Sequence, residues 1–396
     1  MLEGVKIVEF STYVAGPCAA MVLGEWGADV IKVESRTGDA TRAILAGTTD
    51  TASPVFEFEN RNKRGLVLDV SKPEGREALV RVLKDTDIFI TNLRPGGLKR
   101  AGIDYEALKH ELPHLVYCSV TGYGLEGEAA DLPAFDIAAL WTRSGLGGAT
   151  IPQGVEPFPC RPGTGDAICA LATASACLAA YIEAQKTGKG RLVETSLMRA
   201  GVYTVGWDMS LQLKYGQINP PMPRKQAASP ISNYFRTSDE RWVCIWVRGP
   251  NDWGGICRAA GLPHLLEDER FSTPVGRTEH KLEIIEQLDD AFEKLTLAEM
   301  CARLTDEDVI FAPLQTPAEV MQDDYARAAG CFVEVEDAFG AKYEAPAAPA
   351  RFPGADDGPK RPAPKLGEHT REILAEAGYS PGQIDAMLAA GSAVSV

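Results

Sequence analysis

The sequence predicts an α/β protein: a parallel sheet covered by helices, accompanied by a smaller α+β domain. Three observations carry this expectation. Apolar, β-branched runs alternate with helical patterns through the first 214 residues, and such alternation implies parallel strands with crossover helices on both faces. The composition then shifts at residues 215–230 (YGQINPPMPRKQAASP), a proline-rich polar stretch that reads as a linker. Finally, 396 residues exceed what one core usually organises and fit two domains. The expected division is a large domain over 1–214, the linker over 215–230 and the small α+β domain over 231–329. A return segment over 330–396 would then pack its C-terminal helices on the large domain.

The elements follow in order. Residues 5–10 (VKIVEF) are a β-branched run, 19–26 have helical character, and 29–34 form a second strand ending at Glu34. The first turn, STYVAGP at 11–17, sits where a dinucleotide fold carries G-x-G-x-x-G, yet it holds only Gly16, so that fingerprint is absent. Gly122, Gly124 and Gly127 reproduce the spacing after a strand at 115–120, but EAADLPAFD beyond them opens no helix and reads as a loop. A strand at 66–70, a helix at 73–83 begun by Pro73, a strand at 87–91 and a short helix at 105–110 continue the alternation. A long small-residue helix follows Asp166, then a turn at 188–191, a strand at 192–195 and a helix at 198–213. In the small domain, 231–235 and 242–247 read as strands joined by TSDER, with helices onward to 329. Residues 331–335 and 342–344 resemble a second strand pair, 345–365 are proline-rich and extended, and 368–388 return to helix.

Composition narrows the function classes. A net charge of -15 would repel phosphate backbones, which argues against nucleic-acid binding and makes clustered cations stand out. Two such clusters flank strands: Arg61, Lys63 and Arg64 in NRNKR, and Arg94, Lys99 and Arg100 in NLRPGGLKR. The second follows a strand end, where ligands of open α/β sheets bind, and its Pro-Gly-Gly turn could offer backbone N–H groups to an anion. A solvated surface patch is the plainer alternative. Nine cysteines, an odd number without a Cys-x-x-Cys pair, fit reduced thiols in the cytoplasm. The opening MLEGVKIVEF shows no export signal, and the apolar run 167–181 is too short and too rich in Ser, Thr and Cys for a membrane span. The five histidines have no metal spacing, since Pro113 interrupts any helix that would align His110 with His114. No metal site is expected.

The segment PGTGDAICALATASACLAAY, from Pro162, places Asp166 beside Gly163 and Gly165 at the start of the small-residue helix. An Asp there serves either as a helix N-cap or as a carboxylate mounted on a rigid element for chemistry. The glycines would leave space for a substrate to approach, and a carboxylate can itself act as a nucleophile that forms a covalent intermediate. Trp141, Tyr203 and Trp207 are either core aromatics or the wall of an acyl pocket.

Several ordered segments together are similar to the class III (family III) CoA-transferases of CaiB/BaiF type, which include the 2-methylacyl-CoA racemases. They are LEGVKIVEFSTYVAGP, GADVIKVE with GDATR, NRNKRGLVLDVSKPEG, TNLRPGGLKRAGIDYE, TGYG, TGKGRLVETSL and LGEHTREIL. The resemblance implies a Rossmann-type large domain with a small domain, and two chains interlocked as a homodimer. It implies CoA and acyl-CoA as substrates with a small carboxylic acid, no tightly bound cofactor, and Asp166 as the catalytic carboxylate. That carboxylate would attack the thioester to give an aspartyl-acyl anhydride and then an aspartyl-CoA thioester, with glycine N–H groups facing the oxyanions. CoA contacts would fall on Val14, Ala15, Leu68, Asn92, Leu93, Arg94, Arg100 and the stretch 133–136 with Phe135 and Asp136. The position after Glu34, basic in formyl-CoA transferase, is Ser35 here, and Arg36 is expected to take its place. Where the racemases carry His before Asp136, this chain has Phe135, which cannot exchange a proton, so transfer is favoured over racemisation. A nucleotide-binding dehydrogenase or a non-catalytic acyl-CoA-binding protein are the alternatives of another class.

Overall fold

The computed structural model describes residues 1–44, 52–249 and 252–396. In chain order the first half holds β1 (Lys6–Phe10), α1 (Ala15–Glu25), β2 (Asp29–Glu34), α2 (Pro54–Asn60), β3 (Lys63–Leu68), α3 (Pro73–Leu83), β4 (Ile88–Thr91), α4 (Pro95–Ala101), α5 (Tyr105–Leu108) and β5 (Val116–Thr121). Then come α6 (Leu146–Thr150), α7 (Thr164–Thr187), β6 (Leu192–Ser196), α8 (Leu197–Thr204) and α9 (Gly206–Tyr215). The second half contains β7 (Asn233–Arg236), β8 (Trp242–Trp246), α10 (Asp252–Ala259), α11 (Pro274–Glu279), α12 (Lys281–Phe292), α13 (Leu297–Asp306) and β9 (Ile310–Pro313). It ends with α14 (Pro317–Val320), α15 (Asp324–Ala328), β10 (Phe332–Glu336), β11 (Lys342–Pro346), α16 (Thr370–Glu376), α17 (Pro381–Ala389) and β12 (Ala393–Val394).

Two compact units result. The first comprises Met1–Gly148, Phe158–Gly216 and Tyr325–Val396, and the second Ala149–Pro157 with Gln217–Asp324. Relative to the expected division, residues 149–157 fall in the second unit and 325–329 in the first.

The first unit is built on a seven-stranded sheet in the order β12-β3-β2-β1-β4-β5-β6. Strands β1 to β6 are parallel, and β12 adds an antiparallel edge by pairing Ala393 with Leu68. Strand order reverses between β1 and β4, which opens a crevice at their C-terminal ends. Both sheet faces are covered. On one side Leu66, Leu79, Phe89 and Leu374 pack together, which seats the C-terminal helix α16 on β3 and α3. On the other, Leu23, Ile90, Cys118 and Cys177 bring α1 and α7 against the strands. Burying a Leu, Ile or Phe contributes roughly 1.5 to 3 kcal/mol each, so these two layers dominate the unit's cohesion.

The cluster at 61–64 is not a phosphate patch. Lys63 is fully buried at the start of β3, bonded to Glu9, Asn60 and the Pro17 carbonyl, and Arg61 pairs with Glu25. Arg64 pairs with Asp29, Glu372 and Glu376. These charges hold strands and the return segment together, and β3 begins three residues earlier than its apolar run suggests because Lys63, Arg64 and Gly65 pair with Val30, Ile31 and Lys32 of β2.

Other boundaries moved for local reasons. The helix expected over 198–213 is divided at Val205 into α8 and α9, and the C-terminal helix divides around Ser380, which caps α17. The Pro-Gly-Gly turn is the first turn of α4: Gly96 N–H donates to Asp131 Oδ1 at 2.8 Å and Gly97 N–H to the Arg94 carbonyl at 2.9 Å. Those donors are therefore not offered to an anion. Helix α7 runs 24 residues and by length and composition could cross a membrane, a longer element than the run 167–181 suggested. Its Cys169, Thr173, Cys177 and Ala180 are instead buried in the first unit, where α7 packs on α1, β5 and β6.

The second unit carries the antiparallel sheet β7-β8-β9, of which β9 replaces part of the expected helical run. Phe235, Ile284, Phe292 and Leu304 fill its core.

Candidate active site

The loops that leave β1 and β4 are tied across the crevice. Asn92 accepts from the Thr12 N–H at 2.9 Å and donates to the Thr12 carbonyl at 2.6 Å, while Thr91 Oγ1 donates to the Phe10 carbonyl at 2.8 Å. Beneath the first loop lies a buried ion network. Glu9 meets Lys32 at 3.3 Å and Lys63 at 3.0 Å, and Lys32 meets Asp39 at 3.0 Å. Burial opposes ionisation of Glu9, yet Lys32 and Lys63 hold its carboxyl below the usual range. Asp39 in turn accepts from the Tyr13 N–H at 3.2 Å, so the network fixes the loop from below.

A cavity of about 340 Å³ opens here, lined by Tyr13, Val14, Ala15, Asn92, Leu93, Arg94, Phe135 and Asp166 among others. Asp166 is the one carboxylate, and Arg94 the one cation, among the described residues that line it. Asp166 is the third residue of α7; the N-cap position belongs to Gly163, in the left-handed conformation with φ 82°. No described residue hydrogen-bonds the Asp166 carboxylate, so the N-cap alternative does not apply.

Burial, and then the neighbouring Asp136, push the Asp166 carboxyl from 3.8 up to about 7. A helix N-terminus favours an anion by about 0.3 to 1 kcal/mol. Desolvation and the like charge outweigh that dipole here. Asp136 itself is buried: its Oδ1 accepts from Ile137 N–H at 2.8 Å and its Oδ2 from Gly165 N–H at 3.0 Å.

Gly165 therefore does not leave room for a substrate or direct its N–H at an oxyanion. A Cβ there would meet the Asp136 Cβ at 2.8 Å and Leu140 Cδ2 at 2.9 Å, so the glycine allows α7 to approach the π-helical turn Ile137–Thr142. At Gly163 the space is open, as expected.

The structure thus brings Val14, Ala15, Asn92, Leu93, Arg94, Phe135 and Asp166 to one cavity. It does not bring all the expected contacts there. Leu68 is 1% exposed and its side chain packs in the apolar core, and Asp136 is occupied by backbone donors. Arg36 and Arg100 lie outside the cavity lining, although neither forms an ion pair among the described residues. Tyr203 and Trp207 are 87% and 84% exposed, neither core residues nor cavity walls. Trp141 donates to the Phe158 carbonyl at 3.0 Å. Sequence reasoning overlooked Tyr13, whose one signal was its place in the loop that follows β1.

Known proteins resemble the chain over nearly its whole length. Residues 2–370 match the family described as CoA-transferase family III. The chain is 34% identical over 391 residues to (R)-2-hydroxy-4-methylpentanoate CoA-transferase of Clostridioides difficile, covering 97% of each chain. It is 30% identical over 396 residues to cinnamoyl-CoA:phenyllactate CoA-transferase of Clostridium sporogenes, covering 97% of this chain and 95% of that one. A crystal structure of a CAIB/BAIF family protein from Brucella suis superposes with a TM-score of 0.84 at 29% identity, covering 95% of this chain and 99% of that one. The sheet, the helices and the matches over nearly the whole length lead to one assignment: the chain belongs to CoA-transferase family III and is an enzyme of that class.

Proposed function

We propose that the protein moves CoA from an acyl-CoA thioester to a carboxylic acid, with Asp166 as covalent nucleophile. The observation that carries this reading is a carboxylate that no described residue hydrogen-bonds, mounted on a long helix and facing a cavity at the sheet's switch point. A desolvated carboxylate is a stronger nucleophile than a hydrated one, and its rigid mounting keeps the attacking oxygen in place.

In the first step an Asp166 oxygen attacks the thioester carbonyl, the C–S bond breaks, and CoA leaves as thiolate from an aspartyl-acyl anhydride. The thiolate then attacks the aspartyl carbonyl, releasing the donor acid as carboxylate and forming an aspartyl-CoA thioester. The acceptor carboxylate attacks that thioester, giving a second anhydride and the thiolate again. Attack of the thiolate on the acceptor acyl carbon forms the new acyl-CoA and restores the Asp166 carboxylate. No proton is consumed over the cycle. Arg94 at the cavity would meet a CoA phosphate, with Arg36 and Arg100 further out, while Val14, Ala15, Asn92 and Leu93 would flank the pantetheine arm. Phe135 supplies no proton-exchanging group, which supports transfer over racemisation.

The working form in this reading is a homodimer of interlocked chains in the cytoplasm. Tyr203, Trp207, Leu213 and Tyr215 on α8 and α9 are 64% to 87% exposed, an apolar face of the kind that marks subunit contacts. Nine unpaired cysteines suit a reducing compartment.

Hydroxylamine trapping tests the mechanism. Incubation with an acyl-CoA should convert Asp166 to a hydroxamate, located by peptide mass spectrometry. A dehydrogenase, a racemase or a passive acyl-CoA binder would leave it unmodified.

A further inference from the structure

We infer that Tyr13 and Phe135 form an aromatic wall for the acyl side chain, so that the acids exchanged are monocarboxylic and carry a bulky apolar group, aryl or branched alkyl. This rests on the reading of Asp166 as the point of acyl attachment. Both residues line the cavity that Asp166 faces. Their rings stand edge to face, with centroids 5.2 Å apart and planes at 86°. Phe135 is 56% exposed and joins none of the apolar core clusters, so core packing does not explain a ring at this point.

The backbone on either side is held for this purpose. Tyr13 has φ 60°, a left-handed conformation that is unfavourable for a residue with a Cβ. Asp39 maintains it by accepting the Tyr13 N–H, and Asp39 is itself fixed by fully buried Lys32 and by Thr41, whose N–H and hydroxyl both donate at 3.0 Å. Strain retained beside a cavity by a buried network signals function more than packing. Phe135 is pinned as well. Asp136 after it is bonded to α7 through Gly165, and Ala134 before it sits so close to Gly122 that a Cβ on Gly122 would meet the Ala134 Cβ at 2.2 Å.

The rest of the lining decides the charge of the substrate. Val14, Leu93, Val120, Leu132, Pro133 and Leu197 are apolar, Thr12, Asn92 and Thr121 are polar but neutral, and a described cation other than Arg94 is absent from the cavity. With Arg94 occupied by CoA, the second carboxylate of a dicarboxylic acid would be desolvated without a described cation to pair with, which is unfavourable. A hydrophobic substituent would instead displace water from two aromatic faces.

The test uses the full-length protein and the trapping reaction, which needs only a donor. Rates of hydroxamate formation at Asp166 are compared for 3-phenylpropanoyl-CoA, 4-methylpentanoyl-CoA, propanoyl-CoA and succinyl-CoA. The two bulky donors should react about 10- to 200-fold faster than propanoyl-CoA, the range that small differences in apolar contact produce, and succinyl-CoA should be slower still. In Phe135→Ala, and in Tyr13→Gly, which also relieves the φ strain, the bulky-to-propanoyl ratio should collapse towards one. Phe135→Leu should give an intermediate ratio. If propanoyl-CoA or succinyl-CoA traps as fast as the bulky donors, or if the variants keep the parent ratio, the aromatic wall is wrong while the transferase reading stands. If no donor yields hydroxamate, the transferase reading itself falls. Should the variants fail to fold, the parent donor profile alone still decides.

Discussion

Asp166→Asn should abolish turnover and stabilise the fold at the same time, a combination that a structural carboxylate would not give. The Asp166 carboxyl titrates near pH 7 because burial and Asp136 disfavour its charge. From the ordinary 3.8 to about 7, at 1.36 kcal/mol per unit, the ionised form carries about 4 kcal/mol of unfavourable free energy, and partial exposure to the cavity reduces this to about 2 to 4 kcal/mol. The folded-state pKa is raised, so the group's full contribution to stability is present below about pH 4 and is lost as pH climbs through about 7. Asn has no proton to lose and escapes this penalty. The stability advantage of the variant should therefore grow with pH, about half of it developing between pH 5.5 and pH 8.5, and flatten above. Urea unfolding of both proteins across that range, followed by a signal from the first unit, measures it. Activity should meanwhile fall by several orders of magnitude, with CoA binding retained and deamidation back to Asp excluded by mass spectrometry. In the parent, kcat/KM should rise about tenfold per pH unit up to about 7 and then level, since the carboxylate is the reacting form. Parallel stability profiles, or undiminished turnover in the variant, would refute the reasoning.

Four further outcomes are expected. Arg94→Ala should weaken CoA binding by about 1.5 to 3 kcal/mol by calorimetry, and Arg100→Ala, which alters a residue outside the cavity lining, should weaken it less. Gly165→Ala forces a Cβ against Asp136 and Leu140, and it should lower stability by about 1 to 3 kcal/mol and slow turnover by displacing Asp166, as melting and steady-state assays would show. Lys63→Met leaves buried Glu9 with Lys32 as its remaining ion-pair partner and should destabilise the protein by about 3 to 5 kcal/mol in urea unfolding. Sedimentation should show one species of twice the chain mass that does not dissociate on dilution; a folded, active monomer at nanomolar concentration would exclude interlocking.

Much of this protein is set by local sequence. The alternation of strand and helix, the start of α3 at Pro73, the β7–β8 pair and the absence of a dinucleotide fingerprint after β1 depend on periodicity and turn chemistry, which act over a few residues. Asp166 stands out for the same reason, as an acid beside glycines before a run of small residues. What local pattern could not give was the fate of charges. NRNKR and NLRPGGLKR look alike as basic clusters, yet folding buries Lys63 against Glu9 and leaves Arg94 at the cavity, because partners 54 residues apart in the chain meet only in the sheet. The two-residue edge strand β12 is likewise too short to declare itself without the strand it pairs with. The titration of Asp166 near neutrality and the meeting of Tyr13 with Phe135 also belong to the tertiary structure. Desolvation and the juxtaposition of distant loops are properties of the packed chain, and no stretch of sequence contains them.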